Sequence, residues 1–598
     1  METGSIFSKL LGSGYLPKEL PPTFSSRSLG DCAERYDRSE TPLDGVDKQA
    51  RLWRQYEVHN LARAGTLRRE LAIVNPIPYW RLVRAVASAW TALKTAAEES
   101  PISLIRPIEG LPRNLITGRD LPAARATARS KGKFVLQADI SNFYGSIYTH
   151  TIPWALHGKT EARAALGGGK AGEALLGDTL DKLCRAMQDG QSVGLPVGPD
   201  VSLLLAEVIL SKVDASVLAM CAGKGLRFID DYELVFDSES RAIEIRTALQ
   251  SALAEFRLTL NPLKTEIHRL PVGLDNGWSR ELWRMISRKP ALQRGVIVDY
   301  FDRAFELAQS RPAAGVLKFA LGKLSTKAFS SDAESLAEDL VLQCGRVEAG
   351  CLPHMLVILL RRKTHRDGWS ETLTEAFDSV VREHAPQRHS SEVAWALWAC
   401  LGFKLELSDV AAQAVMQMED SVCSLLLYQA HLNGLLEPGS NFDVWKTSLG
   451  ADDLRGPRWL LAYELTRLGF TLDATGANYV TRDPLFSFLL KEGVGFFDGS
   501  RVGTVPPGLL PIENGDEDDG EEEDDKTDDY SEGGFWDEWG WDDDDEERAE
   551  EEEEDPTKKG SIPKHLRKLF EDMKRTTLAA PPAPPKAPPS GPTTPGTE

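Results

Sequence analysis

The chain has 598 residues, enough for two or more domains with their own cores, and a hydrophobic content of 42% typical of a globular protein. Its formal net charge of −21 is local, because residues 513–555 hold 27 acidic side chains against only Lys526 and Arg548. Taking these from the totals of 90 acidic and 69 basic residues leaves 63 and 67, a slightly basic body that would not repel a polyanion.

The seven cysteines are scattered, with no CxxC pair and no Cys/His cluster, which argues against a zinc finger and a disulfide framework. No run of about 18 apolar residues occurs, and the first eleven residues carry no long apolar segment. A cytoplasmic protein without membrane contact is expected.

Residues 1–48 read as a loosely ordered Gly/Ser/Pro-rich extension. The spacing of Leu52, Tyr56, Val58 and Leu61 predicts a helix over 49–64. Leu71, Ile73 and Asn75 predict a short strand that ends at Pro76 and Pro78, followed by a helix over 79–95. Residues 106–133 are basic, with Arg106, Arg113, Arg119, Arg125, Arg129, Lys131 and Lys133, and read as a phosphate-contacting surface.

Next comes Lys133-Phe134-Val135-Leu136-Gln137-Ala138-Asp139-Ile140-Ser141-Asn142-Phe143-Tyr144, an apolar strand with an aspartate at its end. Residues 146–157 read as a helix broken by Pro153, and Gly167-Gly168-Gly169-Lys170 as a flexible turn lacking phosphate-loop spacing. The Gly/Pro loop Gly194-Leu195-Pro196-Val197-Gly198-Pro199 opens into an apolar helix, and its glycines permit close approach to a ligand.

Arg227-Phe228-Ile229-Asp230-Asp231-Tyr232-Glu233-Leu234-Val235-Phe236 puts two adjacent carboxylates in a strand-like run. Phe228, Tyr232, Leu234 and Phe236 share one parity, and Ile229 and Val235 the other. Aspartate is a poor strand former, and two in succession repel, a conflict that a divalent cation offsets and a solvated turn avoids. A helix over 242–256 and a turn bearing Lys264 come next. From 293 to 468 helical segments of 10 to 18 residues succeed one another without strand signals, a pattern that suits an irregular α-solenoid. Residues 491–598 read as a disordered acidic and proline-rich tail with Phe535, Trp536, Trp539 and Trp541 in its acidic block.

Asp139, Asp230 and Asp231 are the minimum that holds two Mg²⁺ ions about 3.5–4 Å apart for in-line phosphoryl transfer. The stretches around Asp139, Gly194–Ser202, Phe228-Ile229-Asp230-Asp231 and Leu260-Asn261-Pro262-Leu263-Lys264-Thr265 together resemble the motifs of reverse transcriptases, in the same order. The resemblance spans roughly residues 50 to 290 and implies the fingers and palm of an α+β right-hand polymerase at 49–290, followed by an all-α helical-repeat domain at 291–490. The run from Ser146 to Gly158, the stretch from Arg69 to Pro76 and the segment Ser391-Glu392-Val393-Ala394-Trp395-Ala396-Leu397-Trp398 are similar to bacterial abortive-infection and defence-associated reverse transcriptases.

The resemblance implies Asp139 and Asp230 as metal ligands with Asp231 supporting, the Ile140 carbonyl completing a shell, and Lys264 as proton donor to pyrophosphate. It implies Tyr144 as a gate against a 2′-hydroxyl beside Phe143, Arg69 at the triphosphate, and Leu195, Pro196 and Gly198 in the nucleotide loop. Cofactors would be two Mg²⁺ ions, with Mn²⁺ as a substitute. Partners would be dNTPs, RNA or DNA with a noncoding RNA as one template, and further copies of the chain. Two departures stand out: Phe228 replaces the commoner Tyr, and Val197 the Gln of retroviral enzymes. The Val197 side chain cannot hydrogen-bond a template or nucleotide, which sets strict template reading aside as the sole expectation, and the resemblance to the defence group implies template-independent and protein-primed synthesis beside templated synthesis. A nucleic-acid-binding scaffold with a silent palm, and a nucleotide cyclase, are the other readings. The cyclase needs neither the 194–202 loop nor Lys264.

Overall fold

A computed structural model describes residues 5–45, 53–65, 67–108, 111–114, 120–166, 175–221, 224–362, 368–472 and 478–502. Side chains at 108, 111–114, 120, 166, 220, 221 and 362 lie outside the description, as do the glycine turn at 167–170 and the acidic tail from 503 onward.

The N-terminal stretch is not loose. Helices α1 (Ile6–Gly12) and α2 (Arg27–Arg35) bury Phe7, Leu10, Leu11, Leu29 and Cys32 in the main core. Both are too short to hold by propensity, so tertiary packing stabilises them. The helix expected over 49–64 is instead strand β1 (Glu57–Ala62), paired antiparallel with β2 (Arg68–Ile73). Asn75 then caps α3 (Pro76–Ser88), its side chain accepting from the Ile77 amide, and the prolines sit in the first turn where no amide is missed. Helix α4 (Trp90–Glu98), the ribbon β3 (Arg106–Ile108) with β4 (Leu111–Asn114), and α5 (Asp120–Arg129) lead into the central sheet.

That sheet is antiparallel, in the order β6 (Gly225–Phe228), β7 (Asp231–Phe236), β5 (Phe134–Ala138) and β8 (Glu266–Arg269). Between β5 and β6 run α6 (Phe143–Ser146), α7 (Thr151–His157), α8 (Lys159–Leu166), α9 (Leu176–Ala186) and α10 (Asp200–Cys221). Pro153 does not break a helix, since it lies in the first turn of α7. The apolar helix α10 and α11 (Glu239–Glu255) supply much of the core packed against Tyr232, Leu234 and Phe236. Val135, Leu226 and Val235 form a smaller cluster with Ala128 of α5.

The hairpin joining β6 to β7 pairs Phe228 with Asp231, which reverses the expected parity: by register Phe228 shares a face with Asp231, not with Tyr232. Three arginines of the basic stretch are used differently than expected, while Arg113 and Arg119 lie outside the described side chains. Arg125 and Arg129 both hold the buried Glu233, with Arg129 Nη2 at 2.7 Å, and Arg106 donates to the Ser100 carbonyl. The buried Glu233 on β7 needs Arg125 and Arg129, so these two are not available to a phosphate.

After α12 (Gly277–Ile286) the chain is almost wholly helical: α13 (Arg294–Ser310), α14 (Val316–Leu324), α15 (Glu334–Val347), α16 (Leu352–Arg362), α17 (Trp369–His384), α18 (Ser390–Phe403), α19 (Asp409–Gln417), α20 (Ser421–Leu432), α21 (Val444–Ser448), α22 (Trp459–Arg467), α23 (Tyr479–Arg482) and α24 (Pro484–Lys491). One two-residue parallel pair, β9 (Ala291–Leu292) with β10 (Ala328–Phe329), interrupts them where no strand was expected. The expected tail start at 491 is displaced, since Val494, Phe496 and Phe497 are buried and Phe497 bridges Phe24. Among the described residues the main apolar core runs from Phe7 to Phe497. The helical region docks on the β1–β2 hairpin and on the turn that enters α3: Ser391 Oγ accepts from the Ala62 amide, Trp459 Nε1 donates to the Ile73 carbonyl, and Asn75 Nδ2 to the Leu454 carbonyl.

Candidate active site

Asp139 follows the last residue of β5. Its carbonyl accepts from the Asn261 amide at 2.8 Å, and the Ser141 amide donates to the Thr259 carbonyl at 2.9 Å. These bonds close a bridge between Ile140 and Leu260 and leave the Ile140 carbonyl on the side of the Asp230 turn. The Asp139 carboxylate accepts from Lys264 Nζ at 3.5 Å, with the two side chains 14% and 26% exposed.

Asp230 is the second residue of the two-residue β6–β7 turn and is 7% exposed. Burial and the charge of Asp139 push its carboxyl up to about 7, against the opposing pull of its own amide, Lys264 and Arg69. Asp231 opens β7 opposite Phe228. Thus two carboxylates stand close enough to disturb each other in a largely buried site. This is the donor set and the electrostatic conflict that a divalent cation relieves, with Asp231 and the Ile140 carbonyl beside it.

Tyr144 and Phe143 lie on α6, their rings 5.1 Å apart, after Asn142 in the left-handed region. The Tyr144 carbonyl accepts from the Leu195 amide, and the Ile147 carbonyl from the Gly194 amide, each at 2.8 Å. The Val197 carbonyl accepts from the Ala72 amide at 2.7 Å, which ties the loop to the end of β2. Arg69 on β2 has its guanidinium pushed down to about 10 by burial and by Arg63, while Glu19, Asp230 and Tyr144 oppose the shift.

A cavity of about 690 Å³ is lined by Asp139, Ile140, Asp230, Asp231 and Lys264, and by Phe143, Tyr144, Arg69, Leu195 and Pro196. Residues spread over nearly 200 positions of sequence therefore meet in one place. Gly198 does not line it. With φ of +131°, Gly198 instead brings the loop against its own chain, where a Cβ would meet Pro17 Cγ at 2.9 Å and the Ala72 carbonyl at 3.2 Å.

The sequence reading missed Arg63, Arg68, Gln188 and Asn261 in the lining. The basic run Arg63 to Arg69 was a legible signal for the first two. Gln188 had none: just past the end of α9, its Nε2 donates to the Gly194 carbonyl at 3.0 Å and so holds the start of the loop. A second cluster, His384, His389 and Glu392, has ligand-type atoms within 4.8 Å of one another and is not part of the cavity lining. There Glu392 is already bound by Arg68 and Ser391, and the two histidine Nδ1 atoms face each other at 2.9 Å.

No helix among the described residues is long and apolar enough to cross a membrane. None of the curated proteins compared matches the chain. Among solved structures, apo telomerase from Candida tropicalis is similar at 10% identity and a TM-score of 0.29, over 64% of this chain and 69% of that one. Residues 79–282 match the family described as reverse transcriptase (RNA-dependent DNA polymerase), a span that holds Asp139, the 194–198 loop, Asp230, Asp231 and Lys264. Such domains generally use divalent metal ions and act on a nucleic-acid template. This chain therefore carries a reverse transcriptase domain over residues 79–282, and its enzyme class is that of an RNA-directed DNA polymerase.

Proposed function

We propose that the protein is a Mg²⁺-dependent DNA polymerase that adds dNTPs at the cavity and acts in antiphage defence in the cytoplasm. The observation that carries the polymerase reading is the meeting of Asp139, Asp230, Asp231 and Lys264 in one cavity with the tyrosine of α6 and the loop residues Gly194 to Val197. Two Mg²⁺ ions held by Asp139, Asp230, Asp231 and the Ile140 carbonyl would supply acidification of a 3′-hydroxyl and neutralisation of the leaving pyrophosphate. Lys264 donates a proton toward that leaving group. Tyr144 closes the sugar side against a 2′-hydroxyl, and Arg69 with Phe143, Leu195 and Pro196 seats the nucleotide.

The defence role rests on the likeness of residues 146–158 and 391–398 to the abortive-infection group. The polymerase motifs motivate a right-hand palm, and the same likeness a following helical-repeat domain and synthesis that is RNA-templated, template-independent or protein-primed, in a homo-oligomer. Val197 in the loop favours keeping the template-independent route beside the templated one. The test is to purify the full chain, digest separately with protease and nuclease, and sequence any nucleic acid attached to it. DNA carried by the protein supports the reading. A protein that carries RNA and incorporates no dNTP with Mg²⁺ or Mn²⁺ refutes it.

A further inference from the structure

The turn that presents Asp230 is strained. Ile229 has a φ of +54°, at the first central position of a two-residue hairpin. That position with positive φ favours glycine, and a β-branched residue there is disfavoured by its Cβ. Such conformations persist where surrounding contacts over-determine them.

One contact does so here. Arg227 is fully buried, and its Nη1 donates to the Ile229 carbonyl at 2.6 Å. The guanidinium is itself fixed from α10. Glu207 accepts from Nη1 and Nη2 at 2.9 and 3.0 Å, and Asp214 accepts from Nε at 2.9 Å. Both carboxylates are held in turn, Glu207 by Ser103 Oγ and Asp214 by Tyr232 Oη, each at 2.8 Å. Glu207 and Asp214 lie seven residues apart, two turns along one face of the helix. The Arg227 backbone is pinned as well, its amide donating to the Ile102 carbonyl and its carbonyl accepting from the Leu104 amide, both at 2.8 Å.

A peptide unit is planar, so holding the Ile229 carbonyl toward Arg227 turns the Asp230 amide the opposite way. We infer that Arg227 is a positioning residue: it holds the Ile229–Asp230 peptide in its strained orientation and thereby aims the Asp230 carboxylate at the metal position. The inference rests on the proposed metal-dependent reading of the cavity. It adds a reason for an arginine at 227: its bonds to Glu207 and Asp214 only satisfy buried carboxylates, whereas its bond to Ile229 reaches the turn.

The test is Mn²⁺ binding to the full chain followed by electron paramagnetic resonance, with thermal unfolding beside it. Arg227→Lys keeps the charge between Glu207 and Asp214 but lacks the fork that also reaches Ile229. It is expected to weaken Mn²⁺ binding about tenfold, the lower end for groups that orient a metal ligand. Adding Ile229→Gly, which removes the strain that Arg227 offsets, is expected to restore most of that loss, a rescue that general damage to the core would not show. Should Arg227→Lys fail to fold, the neutral set Arg227→Gln, Glu207→Gln and Asp214→Asn carries the same comparison, with and without Ile229→Gly. A folded Arg227→Lys that binds Mn²⁺ like the unaltered protein, or a defect that Ile229→Gly leaves untouched, overturns the inference alone. Mn²⁺ binding of the unaltered protein that survives Asp230→Asn puts the ion elsewhere and overturns the reading beneath it, and the inference with it.

Discussion

Arg68 on β2 and Glu392 on α18 are joined by two hydrogen bonds across 324 residues of sequence, with Nη2 to Oε2 at 2.9 Å. Arg68 lines the cavity, and Glu392 is buried in the helical region. Burial pushes the Glu392 carboxyl up, but the bonds and charge of Arg68 and the Ser391 hydroxyl outweigh it and hold it below its ordinary range. The helical region thus fixes one basic wall of the cavity.

Glu392→Gln removes that charge pairing while keeping the shape. It should raise the KM for dNTP about threefold to tenfold with a smaller change in kcat, since a lost ground-state contact acts on binding. Thermal unfolding should report a loss of about 1–3 kcal/mol from the broken, partly buried pair. Steady-state incorporation at varied dNTP measures the first effect, and an unchanged KM would separate the helical region from nucleotide binding.

Asp230 predicts a pH dependence. Its carboxyl is raised by burial and by Asp139 to about 7, so in the metal-free protein the folded state favours the protonated form. The stability it contributes is present at low pH and is lost as pH rises from the ordinary aspartate range to about 7. Asp230→Asn should flatten that part of the unfolding profile between about pH 4 and 7. Metal binding has the opposite sign, because the proton must leave first. With a pKa near 7, affinity of the unaltered protein for Mn²⁺ at pH 6 should be about tenfold weaker than at pH 8.

Gly198→Ala should destabilise the protein by about 1–3 kcal/mol, because an L side chain at its backbone angle is strained and its Cβ meets Pro17 and the Ala72 carbonyl. The loop it serves carries Leu195 and Pro196, so incorporation should fall more than stability alone explains. Comparing activity with folded fraction at one temperature checks this.

The polymerase motifs were legible because each is local: a strand ending in Asp139, a Gly/Pro loop before an apolar helix, a paired aspartate between β-formers, and a lysine in a turn. Ten of the eleven residues expected at the site line the cavity, and Gly198 alone stands behind it. What failed was what depends on distant partners. Tyr56, Val58 and Leu61 fit a helical spacing, yet their segment is a strand because β2 and α18 lie on either side of it. Phe7 and Leu29 sit in helices too short to be read from periodicity, and the core around them supplies the order. Arg125 and Arg129 looked like a nucleic-acid surface because nothing local shows that Glu233 is buried between them. Phe228 changed face because a two-residue turn with Ile229 at positive φ reverses the strand parity that a continuous run would keep.

The most direct measurement is incorporation of labelled dNTP by the full chain with Asp230→Ala and Asp231→Ala together. The loss of Asp230 relieves its conflict with Asp139, so the variant should stay folded, with an unfolding temperature close to that of the unaltered protein. Incorporation should drop below detection with Mg²⁺ and with Mn²⁺, as expected when transition-state charge loses its metal ligands. Undiminished incorporation by the folded double variant would contradict the assignment of this cavity as the polymerase site.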